Sequence, residues 1–308
     1  MKRFLLVSLF ASLTFLYVGC DSSEDTTTPP VEQDKIVNTW ISEGAGVAPG
    51  LVALLKTVKI TATFNSNNTY TVVAKDSAGA EVTYSGTYSV SENTGTSIRS
   101  IVLNQSVPTS VTSEGIYEVD SKGMMTYEVI QTTPAISGFT PPVPSEGFGS
   151  TKYLGTPLGA TYIQGFVPAT PTTELLVDSW ISEGVNVAPG LVLTLKTKKV
   201  VATFNSNNTY TVVATDSFNT DVTYSGTFTT SANSGTSTRN ITLNQTVPTS
   251  VTSTGIYRVT TKDLTYEVIQ TTPAIPGFTP PTAAEGFGST KYNSVPLGAL
   301  WVQKFLYQ

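Results

Sequence analysis

Along most of the chain, apolar and polar residues alternate one by one. Val58, Ile60, Ala62 and Phe64 alternate with Lys59, Thr61 and Thr63, and Tyr70, Val72 and Ala74 with Thr69 and Thr71. The cleanest run sets Val82, Tyr84, Gly86, Tyr88 and Val90 against Thr83, Ser85, Thr87 and Ser89. A repeat of two is the side-chain period of a strand with one face buried and the other wet. Asn65-Ser66-Asn67-Asn68 and Asp76-Ser77-Ala78-Gly79 supply turn residues between the runs. The pattern predicts eight strands in the first half, near 37–42, 54–64, 69–75, 81–90, 98–105, 115–120, 125–131 and 160–166. No stretch has the spacing of an amphipathic helix.

The second half repeats the first. NTWISEGAGVAPGLV from Asn38 returns as DSWISEGVNVAPGLV from Asp178, TFNSNNTYTVVA recurs intact, and GFGSTKY stands once in each half. A single one-residue deletion, in the SKGMMTY turn, separates the two copies. Two long copies are two domains rather than a solenoid, whose repeats are shorter and more numerous. The expected boundaries are 34–168 and 175–308, joined by a Pro/Thr linker at 169–174. Eight successive antiparallel strands with mostly short turns predict an all-β protein of two tandem up-and-down barrels. An immunoglobulin-like sandwich is the alternative, although that fold is shorter and often carries an inter-sheet Cys pair.

The first 33 residues follow a different pattern. Lys2 and Arg3 precede an apolar run from Phe4 to Val18, and Gly19 and Cys20 end it. That run is short for a membrane span and has the form of a cleavable signal peptide, residues 1–19. A small residue directly before the only Cys resembles the lipobox of bacterial lipoproteins. The resemblance implies that Cys20 carries acyl chains of the palmitate class and becomes the first residue of the mature chain. More than one chain gives durable membrane anchoring. Residues 20–33, with the acidic, Pro-ended DSSEDTTTPP, read as an extended tether. Acidic residues just after the Cys resemble the export signal of surface lipoproteins. The expected location is the bacterial cell envelope, on the outer membrane or the cell surface.

Composition narrows the chemistry. The 52 threonines, 14 tyrosines and 13 phenylalanines against three methionines are a strand-former's inventory. With no His and one Cys, His-dependent catalysis, His- or Cys-built zinc sites and internal disulfides are excluded. A net charge of −5 argues against nucleic acid as a partner. No Gly-x-Ser-x-Gly elbow, phosphate loop or calcium-loop spacing is present. Carboxylates shared by both copies include Glu43/Glu183, Asp76/Asp216, Glu81/Asp221, Glu146/Glu285 and Glu128/Glu267. The first four pairs fall in or beside turns and loops, and the last has outward parity, so solvation or turn formation is their expected job. The chain is therefore expected to be no enzyme and to need no cofactor or metal.

A Trp in the first strand, an eight-stranded meander and an aromatic last strand resemble the lipocalin-like domains of bacterial lipoproteins. Of the family's Gly-x-Trp only the Trp carries over, in Asn38-Thr39-Trp40 and Asp178-Ser179-Trp180. Where the family often has an Arg in the last strand, the two copies have Gly165 and Lys304, and their paired arginines, Arg99 and Arg239, lie in the fifth run. The resemblance implies a small-molecule-binding barrel. A barrel of eight strands either fills its interior with side chains or leaves room for one small ligand.

The candidate lining follows from strand parity. In the first copy it is Tyr70, Tyr84, Tyr88, Tyr117 and Tyr127, and in the second Tyr210, Tyr224, Phe228, Tyr257, Tyr266 and Trp301. Small inward residues at Ala62, Ala74 and Gly86 leave space among the rings, or the rings are simply a packed core. Gln105, Gln131 and Gln164, with Gln245, Gln270 and Gln303, share the inward parity. They orient a ligand or, near strand ends, meet water at the rim. The long irregular segment Thr132–Tyr153, repeated at Thr271–Tyr292, carries Phe139, Phe148, Phe278 and Phe287, and its prolines forbid a helix. It reads as a lid over one barrel end, an apolar patch for a partner, or a plug that seals the core. Two functions stay open: binding of a small apolar or amphipathic ligand, and a surface scaffold presenting loops to protein or glycan partners.

Overall fold

The computed structural model describes residues 34–91, 95–233 and 235–308. The expected signal peptide, Cys20 and the expected tether lie outside the described residues.

In the first copy β1 (Asn38–Glu43), β2 (Thr57–Phe64), β3 (Thr69–Asp76), β4 (Glu81–Ser91), β5 (Arg99–Val107), β6 (Val111–Val119) and β7 (Met125–Thr133) run as an antiparallel meander. Three two-residue strands, β8 (Phe139–Thr140), β9 (Lys152–Tyr153) and β10 (Thr156–Pro157), form a separate small sheet. The chain then returns as β11 (Gln164–Pro168), which pairs with β7 on one side and β1 on the other and closes the barrel. The second copy repeats this order. Its barrel strands are β12 (Asp178–Glu183), β13 (Thr197–Phe204), β14 (Thr209–Asp216), β15 (Asp221–Ser231), β16 (Arg239–Val247), β17 (Val251–Val259), β18 (Asp263–Thr272) and β22 (Gln303–Tyr307). The small sheet is β19 (Phe278–Thr279), β20 (Lys291–Tyr292) and β21 (Val295–Pro296). The chain is all-β, with two closed eight-stranded antiparallel barrels in tandem, and the sandwich alternative falls.

Two local expectations are corrected. Pro49–Leu55 and Pro189–Leu195 are short helices, α1 and α2, so the strand expected from 54 begins at Thr57. Proline at the first helical position presets the backbone, and Lys56 at φ 56° ends the helix in the left-handed region. Seven residues make only two turns, and Leu54 and Leu55 stay exposed, so no polar face marks the helix in the sequence. The last strand begins at Gln164 rather than 160, because Gly159–Tyr162 forms a 3-10 turn.

Each barrel has a closed end and a mouth. At the closed end of the first, Trp40 donates from Nε1 to the Ile36 carbonyl at 2.7 Å, and the Tyr117 hydroxyl donates to Asp34, which pairs with Arg99. In the second, Trp180 donates to the Leu176 carbonyl at 2.9 Å, and Glu174 takes the place of Asp34 against Tyr257 and Arg239. Gly86 is not small to leave cavity space. A Cβ there would lie 2.0 Å from the Asn104 carbonyl oxygen, and at Gly115 2.0 Å from that of Glu128. Both glycines mark places where paired backbones bend closely around the barrel.

The barrels are in contact. Ile41 and Val167 on the outer wall of β1 and β11, with Met124 from the β6–β7 turn, join the apolar cluster of Leu175, Trp180, Tyr257 and Val259. Glu43 accepts hydrogen bonds from Ser237 N at 3.1 Å, Ser237 Oγ at 2.6 Å and Thr236 Oγ1 at 3.1 Å, and pairs with Lys59 at 3.3 Å. Lys122 pairs with Asp178 and lies over the Tyr307 ring. The closed end of the second barrel thus stands on the side wall of the first. Glu43 is therefore not the solvated turn residue expected. Burial pushes its carboxyl up, but the Ser237 hydrogen bond, Lys59 and Arg258 outweigh burial and hold it below the ordinary 4.5.

Candidate functional site

The mouths are built by the elements between β1 and β2 and before the closing strand. Helix α1 packs on the Gly159–Tyr162 turn, and α2 on the matching turn Gly298–Trp301. Gly190 of α2 lies so near Trp301 that a Cβ would be 2.8 Å from the ring. Behind each mouth is a cavity. The first, about 200 Å³, is lined by Ile60, Phe64, Tyr70, Tyr84, Tyr127 and Tyr162 among others. The second is about 480 Å³, and its walls include Val200, Phe204, Tyr210, Tyr224, Tyr266 and Trp301. Ligand sites usually enclose about 300–1,000 Å³, so only the second is of that size. Among the described residues, no Asp, Glu, Lys or Arg lines either cavity. Burial raises the hydroxyls of Tyr127 and Tyr266 well above their ordinary value, so both stay neutral. The cavities are apolar chambers with hydroxyl and amide groups and no charge.

Of the candidate lining residues, Tyr70, Tyr84, Gln105, Tyr127 and Gln164 reach the first cavity. Tyr210, Tyr224, Gln245, Tyr266, Gln270, Trp301 and Gln303 reach the second. Five do not. Tyr88 lies toward the closed end, with its hydroxyl donating to the Asn65 carbonyl at 2.9 Å, and Phe228 stacks edge-on against Phe204 at 5.2 Å. Tyr117 and Tyr257 are held by their carboxylates at the closed ends. Gln131 donates to the Pro134 carbonyl at 2.6 Å outside the cavity. Parity places a residue inside the barrel, but not at a height along its axis. Several of the glutamines also have local partners: Gln105 donates to Thr109 O and Gln245 to Thr249 O, both at 2.9 Å, and Gln270 to Pro273 O at 2.7 Å. These are the rim positions expected of the glutamines, satisfied by backbone carbonyls.

The long loop is anchored to the barrel wall. Glu128 on the outer face of β7 is fully buried and accepts from Gly149 N at 2.6 Å and Thr151 N at 3.0 Å. Glu267 does the same for Gly288 N and Thr290 N. The outward parity expected of these carboxylates holds, but their solvation does not, because the loop covers them. Phe139 stacks on Tyr153 at 5.1 Å and edge-on against Tyr162 at 5.9 Å, and Phe278 on Tyr292 and Trp301 at 5.1 and 6.3 Å. Phe148 is half-buried, and Phe287 lies under Arg258 at 5.2 Å. None of the four phenylalanines lines a cavity; from the loops only Ile275 does, in the second barrel. The loop therefore buttresses the aromatic at the mouth rather than covering it. Sequence reasoning missed α2, whose Leu191 and Leu195 form part of the second cavity's rim. The sequence signal was the Ala-Pro-Gly before the Leu-rich run, which fits a helix start.

No protein-family model and no curated protein sequence matches the chain.

Proposed function

We propose that the chain is a lipoprotein of the bacterial cell envelope, anchored through Cys20, whose two lipocalin-like barrels bind a small apolar or amphipathic molecule. The observation that carries this reading is the 480 Å³ uncharged cavity in the second barrel, walled by aromatic and aliphatic side chains with a few amides and hydroxyls. A scaffold that only displays loops needs filled barrels and exposed aromatics. Here all four loop phenylalanines are half-buried, and Phe139 and Phe278 sit in aromatic stacks. The signal-peptide pattern and the Gly19-Cys20 junction support the anchor.

Native mass spectrometry of the full chain purified from its own host tests the binding. A co-purified small molecule is expected, and it should be lost when Ala202→Trp fills the second cavity. A chain that carries no such mass and gains none on incubation with apolar extracts from that host overturns the reading. The anchor is tested separately: Cys20→Ser should move the protein from the membrane fraction to the supernatant.

A further inference from the structure

The two ends of the second barrel have opposite surfaces. The turns at its closed end are polar, Asn205-Ser206-Asn207-Asn208 between β13 and β14 and Thr260-Thr261-Lys262 between β17 and β18. At the mouth, Leu193 and Leu195 of α2, Phe218 of the β14–β15 turn, Val222, Val247 and Ile275 are all exposed. Leu195 and Ile275 also line the cavity, so the apolar rim continues into the chamber. The turn and the helix form one corner, because Ser217 N donates to the Lys196 carbonyl at 2.9 Å. At that corner the copies differ. Phe218, 80 % exposed, stands where the first copy has Ala78, and Lys198 stands where it has Val58. Lys198 Nζ donates to Asn219 Oδ1, and Lys196 Nζ to the Leu193 carbonyl at 3.4 Å. Among the described residues, neither lysine has a carboxylate partner. The nearby carboxylates are engaged elsewhere: Asp216 accepts from Phe218 N and Thr220 N, both at 2.8 Å, and Asp221 from Thr215 Oγ1 at 2.6 Å.

A protruding aromatic and its aliphatic neighbours forgo their burial while they face water, and a cluster of them at one end marks a contact surface. Apolar tips fringed by lysine heads match a bilayer interface, where the tips enter the acyl boundary and the ammonium groups stay at the phosphates. A second copy of the chain is a poorer match, because an isologous mouth-to-mouth contact sets the same lysines against each other. The chain outside the described residues allows the match. From Cys20 to Gln33 there are 14 residues, which extend to at most ~50 Å, against ~26 Å for an eight-residue strand such as β13. They end at Asp34, at the closed end of the first barrel, and are long enough for the molecule to turn on an anchor. From these observations we infer that the mouth of the second barrel is a docking surface for a phospholipid bilayer. Phe218, Leu193 and Leu195 enter the acyl boundary, Lys196 and Lys198 meet the phosphates, and the cavity opens toward lipid. The tether argument borrows the anchor at Cys20 from the reading above, whereas the rim itself needs neither an anchor nor an occupied chamber.

Sedimentation with lipid vesicles tests it, using residues 21–308, which keep every described residue and lack the expected anchor. Vesicles of phosphatidylcholine mixed with phosphatidylglycerol are expected to bind the chain, and salt should weaken the binding. Phe218→Ala should weaken it roughly tenfold through lost apolar insertion, and Lys198→Gln roughly fivefold with a smaller salt dependence. Leu54→Ser at the mouth of the first barrel should leave it unchanged. Ala78 occupies the same turn in the first copy, so Phe218→Ala keeps the fold, and an unchanged melting temperature verifies this. No vesicle binding, an equal loss with Leu54→Ser, or undiminished binding by Phe218→Ala overturns the inference. So does a dimer that Phe218→Ala dissolves while vesicles leave the chain in the supernatant, which assigns the rim to a second copy. The cavity reading survives each of these results, because mass spectrometry of the purified chain decides it independently.

Discussion

The closing strands of the two barrels, β11 and β22, occupy the same place in the same fold and have opposite surroundings. All five residues of β11 are buried, whereas β22 alternates buried and exposed in the ordinary manner of a barrel wall. The difference lies in what covers the outer face. β11 passes under the closed end of the second barrel, and at Gly165 a Cβ would lie 1.9 Å from Thr261 Oγ1. At the matching position β22 has Lys304, which is exposed. The other contact residues diverge in the same way. Arg258 stands where the first copy has Glu118, Asp178 where it has Asn38, and Met124 corresponds to Asp263. The copies thus diverge on the surfaces that join them, so one duplicated sequence encodes a pair with a single defined arrangement.

The most disruptive way to break this comparison is to give β11 the residue of β22. Gly165→Lys should separate the barrels, because the new side chain meets Thr261 backed by a packed wall. Small-angle scattering should show a longer particle, and calorimetry two melting transitions in place of one. A single unchanged transition would refute the docking described above.

Next in size is the loop anchor that both barrels share. Glu267→Ala should cost about 1–3 kcal/mol, since it leaves two buried amide donors without an acceptor. Amide exchange at Gly288 and Thr290 should accelerate, and the same probes at Gly149 and Thr151 in the first barrel should not respond.

A smaller effect should come from pH. Glu43 has its carboxyl held below 4.5 in the folded chain, so its contribution to docking is complete above that value. It is lost as the pH falls through the lowered folded value and the carboxyl takes up a proton. Docking followed by scattering between pH 7 and pH 3 should therefore weaken only at the acid end, and Glu43→Gln should flatten the profile.

The smallest change is Val200→Ile, which installs the residue of the first barrel, Ile60, in the wall of the second cavity. It should weaken ligand binding by roughly two- to fivefold through lost volume, with little change in stability. An unchanged affinity would place the ligand away from Val200.

Much of this architecture was legible because a closed antiparallel barrel writes its geometry into every second residue. The alternation from Val82 to Val90 places Tyr84 and Tyr88 on one inner face, and both side chains do lie inside. Their heights along the axis were not legible, and height makes Tyr84 a cavity residue and Tyr88 a floor. Helix α1 escaped because its leucines have no polar face to mark a period. Glu128 escaped for a different reason. Parity correctly placed it outside the barrel, but whether an outside face is wet depends on a loop that comes later in the sequence. The docking of the barrels was hidden for the same reason, since it depends on single substitutions such as Gly165 for Lys304 whose meaning appears only in three dimensions.

Gly165 has one more consequence. An end-to-wall contact is a head-to-tail arrangement, and such arrangements propagate into filaments unless the last unit refuses the next. Lys304 puts a charged stem on the wall of the second barrel where the first has bare backbone, so the second wall lacks the flat seat that Gly165 gives the first.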